Sequence, residues 1–194
     1  MVIVSSEPLY PEGIRHGFDH WFATQNVAMH SHRDPYNFVR NGIPVGPTVG
    51  YSAAIVAGEA VDWLTNIRDK AGPFFLYVAF HEPHEPIATD PRFMSLYERN
   101  HPDDPSRVAY YGNVTQMDDV IGRILHALDS RGVADNTLVF FTSDNGPART
   151  RWHNAGSLLP GPKPPCATGP GKSWQRSPVR GRRVDRISPL GTWI

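Results

Sequence analysis

Apolar positions along the 194-residue chain are clustered, and their spacing changes from segment to segment. Val56, Ala60, Leu64 and Ile67 recur at steps of four, four and three, which places them on one helical face. A helix is therefore predicted from about Thr48 to Lys70, stopped by Gly72 and Pro73. Phe74 to Phe80 is apolar on both faces and too short for a helix, so it reads as a buried strand of a parallel sheet. A long loop with Pro83, Pro86, Pro91, Pro102 and Pro105 follows. A second helix is predicted from about Arg107 to Arg131, with Tyr111, Val114, Met117, Ile121, Leu125 and Leu128 as its apolar stripe and Gly132 as its stop. Asp135-Asn136 then turns the chain into Thr137 to Thr142, a second strand apolar on both faces. Strand, loop, helix and strand in this order describe a right-handed crossover between parallel strands. Residues 1–48 hold much Pro, Gly, His and Asn without a sustained period, and read as surface loops with a short strand or turn near His16–Phe22. The fold class expected is α/β, a partial parallel or mixed sheet with flanking helices.

Composition narrows this picture. A 40% hydrophobic content is globular, and 19 Pro with 17 Gly indicate extensive loops. Nineteen basic and nineteen acidic side chains cancel, which argues against nucleic acid as a partner, since phosphate-backbone binding needs a basic excess. No run of about 18 apolar residues is present to span a membrane. The first residues lack the basic flank and apolar length of a signal peptide, so the sequence leaves the compartment unassigned. A single cysteine, Cys166, excludes an internal disulfide framework and a cysteine zinc site. After Ser157 the character changes: residues 158–194 are basic and aperiodic, with Asp185 as their single acid. Residues 1–157 are thus expected to form the folded domain, and 158–194 a Pro/Gly-rich tail that is disordered or translated out of frame.

Each predicted strand ends in a polar cluster. The first runs into His81-Glu82-Pro83-His84-Glu85-Pro86, the second into Ser143-Asp144-Asn145-Gly146. In a parallel sheet both clusters leave from the carboxyl edge, where open α/β folds place their ligands. Asp144 and Asn145 offer oxygen donors suited to Ca²⁺ or Mg²⁺. A nearby imidazole could bind an anionic oxygen or protonate a leaving group. Bland readings stand beside these: Asp-Asn-Gly is a turn signal, and His81 and His84 could be loop histidines that cap backbone groups. His30-Ser31-His32 reads as a solvated loop and Asp118-Asp119 as a solvated or salt-bridged helix face. Asn113-Val114-Thr115 is a formal glycosylation sequon on a helix.

Three ordered segments carry a family resemblance: His16-Gly17-Phe18-Asp19-His20-Trp21-Phe22; Gly72 through Pro86; and Asp119 to Leu125 with Asp135 to Gly146. Together they resemble the sulfatase family, arylsulfatases and N-acetylgalactosamine-6-sulfatase-like enzymes within the alkaline-phosphatase-like superfamily, over roughly residues 10–157. The resemblance implies a Ca²⁺-dependent sulfuric ester hydrolase acting on a sulfated small molecule or glycan, with a formylglycine nucleophile made from a Cys-x-Pro-Ser-Arg motif. It implies that Asp144 and Asn145 are metal ligands. His84 would be the catalytic histidine that contacts the sulfate ester and assists the leaving oxygen, with His81 at a neighbouring substrate-binding position. The nucleophile motif is not found in these residues, since Cys166 is followed by Ala167-Thr168-Gly169. The expected identity is an internal sulfatase fragment, inactive by itself. The alternatives are a metal-dependent phosphoesterase of the same superfamily and a non-catalytic binder of sulfated ligands.

Overall fold

The computed structural model describes residues 2–5, 17–25, 27–70 and 72–142. Among these residues, four short strands form one mixed sheet in the order β1 (Val2–Ser5), β2 (Phe22–Gln25), β3 (Val39–Arg40) and β4 (Ile43–Pro44). β1 and β2 run parallel, with Val2 opposite Phe22 and Ser5 opposite Gln25, while β2–β3 and β3–β4 are antiparallel. A mixed sheet is therefore present, but its strands lie within residues 1–48, where the sequence predicts surface loops with a short strand or turn near His16–Phe22, rather than at 74–80 and 137–142. The missed signal is Asn41-Gly42, both at positive φ (49° and 87°), the dipeptide that a tight hairpin turn requires.

Helix α1 (Ser52–Asp62) lies inside the predicted span and continues as one wider turn over Trp63–Ile67. It buries Val56, Ala60 and Leu64 as expected, whereas Ile67 stays exposed. Phe22, Phe38 and Val56 form the core beneath it, Phe22 and Phe38 stacking at 4.5 Å, with Ile55, Val78 and Phe80 packed against them.

The predicted strands 74–80 and 137–142 join no ladder among the described residues. An inner strand needs hydrogen-bonding neighbours along its edges, and no described segment supplies them. Residues 74–78 still alternate between half-buried and exposed, with Phe75 and Tyr77 facing out and Val78 and Phe80 on the core. The parallel crossover inferred from these segments is therefore replaced by the mixed sheet described above.

Two further helices occupy the predicted loop and the second predicted helix. α2 (Pro91–Glu98) begins at Asp90, whose Oδ1 accepts from the Arg92 amide at 2.9 Å. α3 (Pro105–Ser130) begins with the same Asp-Pro pair, Asp104 Oδ1 accepting from the Arg107 amide at 3.0 Å. An acidic N-cap followed by proline at the first helical position is a start signal, and at Pro91 it marks a helix where a loop was expected. The buried line of α3 is Val108, Asn113, Gln116, Val120, Ile124, Ala127 and Leu128; Leu128 is buried as expected, most of the others lie about one position from the expected stripe, and Val114 faces solvent. Asn113 Nδ2 and Gln116 Nε2 both donate to the Ala88 carbonyl, and Gln116 Oε1 accepts from the Asp90 amide. These amides dock residues 88–90 onto α3, and the sequon asparagine is buried rather than offered to solvent. The described residues divide into two units after Ala127. Among the described residues no helix is long and apolar enough to cross a membrane.

Candidate functional site

The histidine loop after Phe80 is fixed from two sides. Glu82 Oε1 accepts from the Ser52 hydroxyl at 2.6 Å and from the Ala53 amide at 2.9 Å, so its carboxyl group caps the start of α1. His81 Nε2 lies 2.8 Å from Thr24 Oγ1 on β2. The loop then closes on itself, the His84 amide donating to the His81 carbonyl at 2.8 Å. His81 and Glu82 are buried as a result, while His84 is exposed.

His84 Nδ1 lies 2.6 Å from the Glu85 carbonyl oxygen. A carbonyl only accepts, so Nδ1 carries the proton and Nε2 is left to meet a ligand. In the neutral ring Nε2 presents a lone pair; it donates only in the imidazolium form.

A third imidazole stands behind these two. The ring of His32 lies 5.3 Å from that of His81 and 6.5 Å from that of His84. The sequence predicts a solvated loop for His30-Ser31-His32. His30 is exposed, but His32 is fully buried at 0%. The cause is local pairing: Ser52 N donates to the His32 carbonyl, Arg33 bridges Tyr51, and Asp34 exchanges hydrogen bonds with Gly50 through both its amide and its carboxylate. These contacts turn residues 32–34 in against the entry to α1. Nothing in hydrophobic periodicity marks that turn.

Burial dominates the electrostatics. Desolvation, followed by the charges of His32 and His84, lowers the His81 pKa to about 4. Desolvation and then the His84 charge lower that of His32. Burial pushes the Glu82 carboxyl up, against the hydrogen bonds from Ser52 and Ala53 that pull it down. At neutral pH His81 is a neutral ring, and His84 is the imidazole of this group exposed to an incoming anion.

A second polar cluster sits farther along α1, at Glu59. Glu59 is buried and receives Arg40 Nε at 2.7 Å and His20 Nε2 at 2.9 Å on the same oxygen, with a second Arg40 nitrogen on Oε2. Burial raises its pKa, but the hydrogen bonds from Arg40 and His20 outweigh burial and the net direction is down. His20 belongs to the His-Gly-Phe-Asp-His segment singled out in the sequence, and its role here is structural.

Of the residues proposed from sequence, His81 and His84 share one loop, while Asp144 and Asn145 lie outside the described residues, as do Cys166 and the tail 158–194. Among the described residues no group of three or more His, Cys, Asp or Glu side chains is arranged to hold a metal ion. Asp118 and Asp119 are exposed, with Asp119 3.5 Å from Arg92, the salt-bridged helix face expected.

The sequence matches the Sulfatase family model over residues 4–172. It is 32% identical over 177 residues to the N-acetylgalactosamine-6-sulfatase of Rattus norvegicus, covering 81% of this chain and 30% of that protein. It is 30% identical over 157 residues to the Endo-4-O-sulfatase of Bacteroides thetaiotaomicron, covering 70% of this chain and 30% of that protein. Among solved structures, the yidJ protein of Bacteroides fragilis is similar with a TM-score of 0.59 at 27% identity, over 70% of this chain and 34% of that one. The chain thus spans 30% of the length of each of these two curated relatives.

Proposed function

The chain belongs to the sulfatase family, and from that premise we propose that it forms one wall of a sulfuric ester hydrolase site, with His84 as the residue that meets the sulfate ester. The observation that carries the proposal is the Nδ1 contact of His84 with the Glu85 carbonyl, which leaves Nε2 of an exposed ring free to face a ligand. As an imidazolium, His84 donates a charge-assisted hydrogen bond to a sulfuryl or bridging oxygen, and can pass that proton to the departing alkoxide. Glu82 and Thr24 hold the loop, so the ring is oriented before ligand arrives. Asp144 and Asn145 are hard oxygen donors of the kind that fit Ca²⁺, and this pair leaves most of a calcium shell to be supplied from elsewhere. When bound, the cation would polarise the sulfuryl oxygens. The substrate class is a sulfated small molecule or glycan, in keeping with the sulfatases this chain resembles.

The nucleophile motif of the family is not among these residues, and catalytic groups that act as a unit lose nearly all rate when one is removed. The 194-residue chain is therefore expected to bind rather than turn over. Calorimetric titration with N-acetylgalactosamine 6-sulfate tests the reading, with Ca²⁺ present and with Ca²⁺ chelated. Binding is expected to need the cation and to weaken roughly tenfold in His84→Ala, the loss of one hydrogen bond to a charged group. Equal binding under all these conditions would sink the proposal. Clear hydrolysis of an aryl sulfate by the chain alone would remove the inactivity claim, and hydrolysis of an aryl phosphate would favour the phosphoesterase alternative.

A further inference from the structure

Among the described residues, four of the six buried side-chain polar atoms that lack a protein partner fall on three neighbouring residues, the other two being Arg68 Nε and Asn113 Oδ1. Those four are His32 Nδ1, His32 Nε2, His81 Nδ1 and Glu82 Oε2. They belong to one node. Ser52 links its members, donating its amide proton to the His32 carbonyl and its hydroxyl proton to Glu82 Oε1. His81 is the chain neighbour of Glu82, and its ring is 5.3 Å from that of His32. Leaving a buried donor or acceptor unpaired costs about 1–3 kcal/mol, so a fold that concentrates such atoms satisfies them with something other than protein. The node is polar on several sides, the condition under which buried water is retained. Among the described residues no metal-holding group of side chains is found there.

We propose that His32 is a positioning residue for the His81–His84 loop: its two ring nitrogens hold ordered water that bridges to His81 Nδ1 and Glu82 Oε2 behind the exposed His84 ring. A neutral imidazole is suited to this task because it offers one donor and one acceptor. One water donates to the unprotonated nitrogen and a second accepts from the protonated one, because the two ring nitrogens point apart. Their remaining valences reach the carboxylate oxygen and the neighbouring ring. His81 is thereby held in one tautomer, and the backbone turn from His81 to His84 is braced from inside. The function of this brace rests on the reading of His84 as the ligand-contacting histidine.

The test is long-range ¹H–¹⁵N correlation of the histidine rings in the full chain, in the parent, His32→Phe and His32→Gln. Phenylalanine keeps the ring volume and removes both nitrogens; glutamine restores one donor and one acceptor. The parent is expected to show cross-relaxation between the His32 ring and a long-lived water, and a single tautomer for His81. In His32→Phe the ring nitrogen signals of His81 and His84 are expected to shift, and in His32→Gln to return towards the parent pattern. A residue that merely fills space would leave those signals unmoved in His32→Phe, which would overturn the proposal. Should His32→Phe fail to fold, the parent spectrum decides, because the lack of a long-lived water at His32 also overturns it. Titrating the parent with inorganic sulfate separates the two readings: a His84 ring that ignores sulfate counts against the functional proposal alone.

Discussion

At the residue scale, Glu82 shows how one side chain serves packing and site geometry together. Its carboxyl group receives the Ser52 hydroxyl and the Ala53 amide at the start of α1, yet Oε2 is buried without a protein partner and burial raises its pKa. Glu82→Gln keeps an oxygen for both donors and removes the buried charge. Its unfolding free energy from urea melts at pH 7 is expected within about 1 kcal/mol of the parent, whereas Glu82→Ala, which strands both donors, should lose about 1–3 kcal/mol. His81 gives a pH signature of opposite sign. Its folded pKa of about 4 lies below the ordinary 6.5, so the folded state binds fewer protons. The corresponding stability is fully present above pH 6.5 and is lost as pH falls through about 4. The loss reaches on the order of 3 kcal/mol. Denaturant melts at pH 7 and pH 4 should show a steeper decline for the parent than for His81→Gln; parallel declines would contradict the assignment. The histidine loop itself was legible in sequence because it is contiguous. His32 was not, since its burial depends on residues 32–34 pairing with 50–52.

At the scale of elements, the docking of α2 against α3 turns on Gly112. A Cβ there would come within 2.9 Å of Thr89 Cγ2 and 3.1 Å of the Phe93 and Met94 backbone. Glycine inside a helix costs about 1 kcal/mol relative to alanine, and the close approach offsets that cost. Gly112→Ala is therefore expected to destabilise by about 1–3 kcal/mol despite its better helix propensity, read from thermal or urea unfolding; a more stable variant would mean that α2 can move away freely. The span of α3 follows from apolar spacing and its Asp-Pro start, but its buried face does not. Asn113 and Gln116 face inward because the Ala88 carbonyl and the Asp90 amide need partners there. A stripe drawn through hydrophobic residues alone misses a face lined by amides.

At the scale of the molecule, Glu59 joins three stretches of sequence. It draws His20 from the segment before β2 and Arg40 from β3 onto α1. Glu59→Gln should cost about 2 kcal/mol, less than the 3–5 kcal/mol typical of a fully buried pair, because solvent can take up the freed guanidinium. Arg40 is 47% exposed, which supports that discount. Because the Glu59 carboxyl is held below its ordinary 4.5, its contribution is present above that pH and is lost as the solution becomes more acidic. Guanidinium melts of Glu59→Gln and parent should converge at low pH; a constant gap would refute the sign.

Local signals in the chain were enough to locate α1 and α3, the histidine loop and the family, because each depends on neighbours close in sequence. Periodicity, helix stops and contiguous motifs need no distant partner. The tertiary structure alone decided which face of α3 is buried, that β1 and β2 join the hairpin marked by Asn41-Gly42, and that His32 joins His81 and His84. Each of these is a pairing of backbone or amide groups far apart in the chain, and hydrogen bonding between distant polar groups leaves no period in the sequence to read.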